Sequence, residues 1–287
     1  MLPSGILTDS RFFELYQRRG VHITPVHFYQ PVPDTRELEK SGLWDRHSEL
    51  PGIDLRLPEQ VELLLELGRE WIPEYMDLLT KEPVWRAVFP GADGAVLYSM
   101  IRKYEPNLII EIGSGRSTLL SADALRRNGR GRIIAIDPSP RISVREALKG
   151  VGEFVEERVE TVPLGVFQEL GAGDILFIDS SHTVRVVGDV VHEICEIIPR
   201  LDPGVLVHLH DIFLPLHYPH EWVIRRHMFW AEQYLLQAFL AHNDAWRILW
   251  SAGCMQLHAS KEFKAVFPEH DVKQQGLAGS FWMVREQ

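Results

Sequence analysis

The chain of 287 residues is about twice the ~150 of a typical domain, and its 45% apolar and 24% charged side chains give the balance of a folded globular protein. That balance excludes disordered, collagen-like and coiled-coil chains. Its 30 Lys and Arg against 40 Asp and Glu leave a formal charge of -10, and with no basic run to neutralise phosphates the expected partner is a small molecule, not nucleic acid.

The N-terminus lacks a basic start followed by an apolar core, and no stretch approaches the roughly 18 apolar residues of a membrane span. The expectation is a cytoplasmic, unprocessed protein with no membrane partner. Two cysteines are too few for a disulfide framework, and Cys195, in an apolar helical pattern, is expected as a buried free thiol in a reducing compartment.

Residues 1–91 read as an irregular helical cap or arm. Prolines at 25, 31, 33, 51, 58, 73, 83 and 90 interrupt helical fragments such as 58–76. The segment RGVHITPVHFYQPVPD mixes His22, His27, Phe28 and Tyr29 with prolines. It suits either a loop lying across a neighbouring surface or an arm packed on the core. Such a segment can cover the active site of its own subunit or of a neighbour, so a homo-oligomer stays open. Tyr98, in a helical pattern before the first strand, reads equally as a cover for a cofactor or as core.

From residue 92 to 287 the pattern changes to short Ile- and Val-rich runs alternating with helical stretches. Strands are expected at 108–112, 132–137, 174–179 and 204–210, with weaker ones at 154–159, 246–250 and 281–285. Helices are expected near 117–127, 141–149, 184–198 and 221–240. Nearly continuous apolar strands imply helices on both faces, so the fold class is a doubly wound, Rossmann-like α/β domain. Ligands in such sheets bind beyond the carboxyl ends of the strands.

The polar residues closing the strands form a coherent set. The first strand ends LIIEIGSGRST, which places Gly113 and Gly115 in the turn before a helix, flanked by Ser114 and Ser117. Glycines there let the backbone approach a ligand closely, although a mere tight turn reads the same way. Thr118 stands where a dinucleotide fingerprint wants its third glycine. Glu111 would repel a pyrophosphate but attract the ammonium of an amino-acid-like ligand, which favours S-adenosylmethionine over NAD. Asp137 closes the second strand 24 residues after Gly113, where an acid meets ribose hydroxyls, or else it opens the Asp-Pro-Ser-Pro turn.

The next two strong strands end in Asp179 with His182, and in His210 with Asp211. Two carboxylates converging on one pocket repel unless they share a proton or a cation, and their oxygens suit Mg2+. His210 is a further ligand candidate, or a packing residue if alternation turns it away. His182 reads as a general base or as the cap of a helix starting near 184. The loop LPLHYPHEW brings His217, Tyr218, His220 and Trp222, either to stack on a substrate ring or to pack among themselves.

This ordered set, EIGSGRST, an acid closing the second strand, FIDSSH and HLHDIF, resembles the class I S-adenosylmethionine-dependent methyltransferases. Within that class, the D-x-x-H and H-D pairs followed by PLHYPHEW and WAEQYLLQAF resemble metal-dependent O-methyltransferases of sugars and other natural products. The resemblance covers about residues 92–287. It implies a seven-stranded sheet with the last strand antiparallel. It places Gly113, Ser114 and Gly115 at the methionine end of the cofactor and Asp137 at its ribose. Asp179 and Asp211 would hold Mg2+, and His182 would be the base. The chain departs from macrolide sugar enzymes at His210, where they present a second acid, and from catechol-type relatives at Ile212, where they have an amide. The other expectations open at this point are a metal-independent methyltransferase acting on a nitrogen or carboxyl, an NAD(P)-dependent oxidoreductase, and a non-catalytic cofactor-binding scaffold.

Overall fold

A computed structural model describes residues 10–81, 91–139, 142–270, 272 and 276–287. Pro83, Pro90 and the first residue of the helix expected at 141–149 lie outside the described residues. The chain forms two compact units, one running to Arg46 and joined by His220–Phe229, the other made of His47–Pro219 and Trp230–Gln287.

In the smaller unit, helix α1 (Ser10–Gln17) is followed by α2 (Thr35–Lys40), whose N-cap Asp34 accepts a hydrogen bond from the Arg36 amide. Phe28 and Tyr29 between them are each 82% exposed and pack only on one another and on His27 among the described ring contacts. The helix expected at 221–240 does not form in one piece. Residues Glu221–Arg225 make a single wide turn, and His227, with φ +56, breaks the chain before the helix resumes beyond this unit.

The larger unit carries α3 (Leu57–Glu70), α4 (Ile72–Lys81) and α5 (Gly91–Tyr104). Pro73 divides α3 from α4 because the ring is tolerated only in a helix's first turn. Tyr98 on α5 is fully buried and donates to Glu74 Oε1 at 2.6 Å, so it belongs to the core.

The sheet follows, in the order β3-β2-β1-β4-β5-β7-β6. Its strands are β1 (Leu108–Ile112), β2 (Arg132–Ile136), β3 (Gly152–Val155), β4 (Ile175–Ile178), β5 (Leu206–Leu209), β6 (Trp246–Ser251) and β7 (Phe281–Arg285). The first five are parallel, and β7 runs antiparallel to both β5 and β6, as the resemblance implied. The chain winds outward from β1 through β2 to β3, then returns to β4 on the other side. The switch point therefore lies between β1 and β4, where open α/β sheets bind ligands.

Between these strands run α6 (Arg116–Asn128), α7 (Ile142–Ala147), α8 (Leu164–Phe167), α9 (Asp189–His192), α10 (Glu232–Leu240), α11 (Ala252–His258) and α12 (Ser260–Val266). Strand alternation sorts the apolar residues into two layers. Ile109, Ile133, Phe177 and Trp282 face α5 and α6, whereas Ile110, Ile112, Ile178 and Leu209 face the opposite layer with Ile194 and Leu236.

Three expectations are corrected here. The strand expected at 154–159 lies at Gly152–Val155, ending before the charged run Glu156–Arg158. The helix expected from 184 begins only at Asp189, because Val187 has φ +56 and Gly188 is the extended N-cap; it then widens at Glu193–Ile197 and tightens at Ile198–Arg200 around Pro199. On that irregular helix Cys195 is exposed rather than buried, and Cys254 is the buried thiol.

Candidate active site

The first strand delivers the glycine turn. Gly113 has φ +83, and its amide donates to Ile136 O at 3.0 Å. Next to it, Asp179 N donates to Ile112 O at 2.9 Å, so the ends of β1, β2 and β4 are tied together. Gly115 is the N-cap of α6, and its amide donates to Thr118 Oγ1 at 2.9 Å. Thr118, the residue that breaks the dinucleotide fingerprint, therefore has a capping role.

Ser114 donates to Asp137 Oδ2 from both its amide (3.0 Å) and its hydroxyl (2.9 Å), while the Ser139 amide donates to Oδ1 at 2.7 Å. Asp137 thus both opens its turn and braces the glycine loop. Each carboxylate oxygen keeps acceptor capacity beyond those bonds. Gly113, Asp137, Asp179, Ser180, Arg158 and Arg185 line a cleft of about 540 Å³, within the range of small-ligand sites.

Glu111 is placed beneath this loop and does not line the cleft. It has no exposed surface, and Ser117 donates to its Oε1 while Oε2 has no hydrogen-bond donor. Burial pushes its carboxyl up to about 8 from 4.5, against the opposing hydroxyls of Ser117 and Thr118. Between those two values the folded protein holds a proton that the unfolded chain releases. Stability is therefore expected to fall with rising pH across that interval, by up to roughly 1.4 kcal/mol per pH unit. Glu111→Gln should flatten this slope, as urea unfolding at a series of pH values would show.

The strand ends of β4 and β5 supply the polar cluster. The ladder pairs Phe177 with His208, so Asp179 and His210 fall one step further along on the same face. Alternation therefore turns His210 toward Asp179. One ligand atom from each of Asp179, His210 and Asp211 lies within 4.8 Å of the others. His210 Nδ1 is 3.4 Å from Asp211 Oδ1 and 3.7 Å from Asp179 Oδ1. On its other side Nε2 is 3.9 Å from Asp93 Oδ2, and Asp93 is anchored by the amides of Gly279 and Ser280. Burial pulls His210 down, but the surrounding carboxylates outweigh it and push it up to about 10. Behind it His208, stacked on Trp282 at 4.5 Å, is driven well below its usual value by burial.

His182 completes the cluster. Its Nε2 lies 3.2 Å from Asp179 Oδ1 and 3.7 Å from Asp211 Oδ2, and its Nδ1 lies 2.7 Å from Glu232 Oε2. The amides of Ala231 and Glu232 also donate to its carbonyl, so the start of α10 holds it twice. Trp230 packs on the ring at 4.3 Å. His182 caps no helix, since α9 begins seven residues later. Burial lowers its affinity for a proton, yet Asp179 and Glu232 prevail and push it up to about 10. His182 and Asp211 both adopt left-handed φ of +57, a strain of about 1–3 kcal/mol each that clusters at functional sites.

The aromatic loop is placed differently from expectation. Tyr218, read as a stacking platform, is only 3% exposed, packed among Phe213, Trp230 and Tyr234, and its hydroxyl accepts from the Gln233 amide. His217 Nδ1 lies 3.1 Å from the Tyr234 hydroxyl. Trp222 and His220 belong to the smaller unit, where His220 packs edge-on against Trp44. Sequence reasoning passed over Asp93, Glu193 and Glu232. Glu232 lies within WAEQYLLQAF, a segment used for the resemblance, but nothing local distinguishes it from an ordinary helix charge.

A family model described as "Methyltransferase domain" matches residues 110–212, the span from β1 to just past β5. A protein of Archaeoglobus fulgidus described as an uncharacterized protein is 32% identical over 170 residues, covering 53% of this chain and 75% of that protein. Among solved structures, the plantazolicin methyltransferase BpumL in complex with SAH covers 80% of this chain and 99% of its own, at 12% identity and TM-score 0.45. The O-methyltransferase from Bacillus cereus in complex with SAH covers 79% and 90%, at 14% identity and TM-score 0.39. Residues 110–212, which span the glycine turn, Asp137 and the two strand-end pairs, thus match a methyltransferase domain, and they lie in a sheet with the Rossmann-like strand order of the class I S-adenosylmethionine-dependent methyltransferases.

Proposed function

We propose that this methyltransferase moves a methyl group to a hydroxyl of a small molecule, a sugar or another natural product, assisted by a divalent cation at Asp179, His210 and Asp211. The observation that carries the reading is the clustering of those three side chains at the carboxyl ends of β4 and β5, beside the cleft, with Asp179 and Asp211 also facing His182 Nε2.

The residues fit the cofactor. A Cβ on Gly115 would meet nothing within 4 Å, which leaves open space at the start of α6 for a ligand. Asp137 has spare acceptor capacity for ribose hydroxyls. S-adenosylmethionine supplies an electrophilic methyl, so the protein has only to align the acceptor oxygen and remove its proton. Two carboxylates and an imidazole also fit a cation such as Mg2+ or Mn2+. Such a cation, when bound, supplies Lewis-acid polarisation of the acceptor. Asp179 and Asp211, once engaged in this way, no longer hold a proton on His182 Nε2, and the neutral ring can accept one from the hydroxyl.

No helix among the described residues is long and apolar enough to cross a membrane, and a small acceptor suits the acidic surface. One alternative rests on a specific observation. His182 and His210 already form ion pairs with these carboxylates, so the cluster can be neutral without a metal and would then serve a metal-independent transferase. Calorimetric titration with MnCl2 separates the two. Saturable binding to the wild type, weakened at least about 10-fold in Asp211→Asn, is expected. Absent binding, with methyl transfer to hydroxylated acceptors unchanged by EDTA, would remove the metal and keep the transferase.

A further inference from the structure

Behind His182 lie two carboxylates with no exposed surface, Glu232 at the start of α10 and Glu193 in the widened turn after α9. Each is satisfied on one oxygen only. Glu232 Oε2 takes His182 Nδ1 at 2.7 Å, and Glu193 Oε2 accepts from Ser180 Oγ at 3.0 Å. The remaining oxygen of each, Oε1, is buried with no donor among the described residues. Two acceptors left bare in this way carry a heavy desolvation cost. The helix α10 that begins with Glu232 packs against the widened turn that carries Glu193, and two buried carboxylates brought near one another cannot both ionise freely.

We propose that Glu193 and Glu232 share one proton between their Oε1 atoms. Glu193 is the protonated partner and donates to an ionised Glu232, which keeps a proton on His182 Nδ1 and aims Nε2 between Asp179 and Asp211. A single proton satisfies both bare oxygens. The charges around the pair agree with this assignment. Burial and then the charge of Glu232, followed by that of Asp189, raise Glu193, with only Ser180 and His182 opposing. Glu232 is likewise raised by burial and by Asp179 and Asp211, but its bond to His182 opposes them. Glu193 is thus the better place for the proton. Ser180 also lines the cleft, so a hydrogen-bonded row runs from the cofactor side through both acids to the imidazole. Both glutamates are positioning residues, and the proposal rests on the reading of His182 as the base.

The test is spectroscopic and uses the full chain. Infrared spectra with isotope-labelled glutamate should show, at neutral pH, a protonated-carboxyl C=O band that Glu193→Gln removes. A second such band, from Glu111, should survive that substitution and vanish in Glu111→Gln. With isotope-labelled histidine, the His182 Nδ1–H resonance should be far downfield and protected from exchange in the wild type and in Glu193→Gln, whose amide still donates to Glu232. It should be lost in Glu232→Gln. A carboxyl region unchanged by Glu193→Gln, or an Nδ1–H signal unchanged by Glu232→Gln, would overturn the proposal. If a variant fails to fold, the wild-type spectra decide alone, since absence of either signal there is equally fatal. Loss of S-adenosylhomocysteine binding from the wild type would sink the transferase reading while leaving both signals in place.

Discussion

Gly113→Ala is expected to unfold the strand-end architecture and abolish S-adenosylhomocysteine binding, whereas Gly115→Ala, two residues on, should leave the fold intact. A Cβ at Gly113 would lie 1.9 Å from Asp179 O, and neither backbone can move aside. Gly113 N is bonded to Ile136 O, and Asp179 N to Ile112 O, within the central strands of the sheet. The φ of +83 adds its own cost for any L side chain. Strain of about 1–3 kcal/mol and overpacking of similar size together come to roughly 3–5 kcal/mol. At about 2–4 °C per kcal/mol this lowers Tm by on the order of 10 °C. Gly115 has an extended φ of -172 and no atom within 4 Å of a built Cβ. The cost of alanine there is about 1 kcal/mol or less, so weakened S-adenosylhomocysteine binding by a well-folded Gly115→Ala would locate the ligand in that space. Differential scanning fluorimetry and calorimetry check both. A Gly113→Ala protein with wild-type Tm would show that the turn relaxes more than these hydrogen bonds permit.

The contrast between the two glycines shows what a sequence exposes. The position of the turn, Asp137, Asp179, His182, His210 and Asp211 at or just beyond the strand ends was legible because a parallel sheet has one ligand end and each apolar run announces its last residue. The convergence of Asp179 with His210 needed the register that pairs Phe177 with His208, because alternation alone left the direction of His210 open. What escaped is what packing decides. Glu232 lies 50 residues from His182 in the chain, and Glu193 lies on a helix whose periodicity hides both its wide turn and its late start. Asp93 is fixed by the amides of Gly279 and Ser280, nearly 200 positions away. An acidic residue on a helix is usually solvated, and only the tertiary structure shows these three turned inward. Tyr218 fails in the opposite sense. Its loop position suggested a ligand platform, and the structure spends the ring on Phe213, Trp230 and Tyr234.

His182→Ala is expected to lower kcat by roughly 10²–10⁴-fold, the usual contribution of a general base, with S-adenosylhomocysteine affinity nearly unchanged because the ring does not line the cleft. The same substitution should also cost stability. It removes the cation from Glu232, a carboxylate with no exposed surface, and breaking a buried pair from one side costs about 3–5 kcal/mol. A catalytic and a structural role would otherwise be confounded, and a second substitution separates them. Replacing both members of a buried pair is often close to neutral, so His182→Ala combined with Glu232→Leu should recover much of the lost stability in urea unfolding. Turnover should not recover, because Nε2, the atom facing Asp179 and Asp211, is still missing. Radiolabelled methyl transfer to a panel of hydroxylated acceptors reads the rate. Recovery of both stability and turnover in the double variant would make His182 a structural residue and leave the acceptor proton to pass directly to water or to a carboxylate.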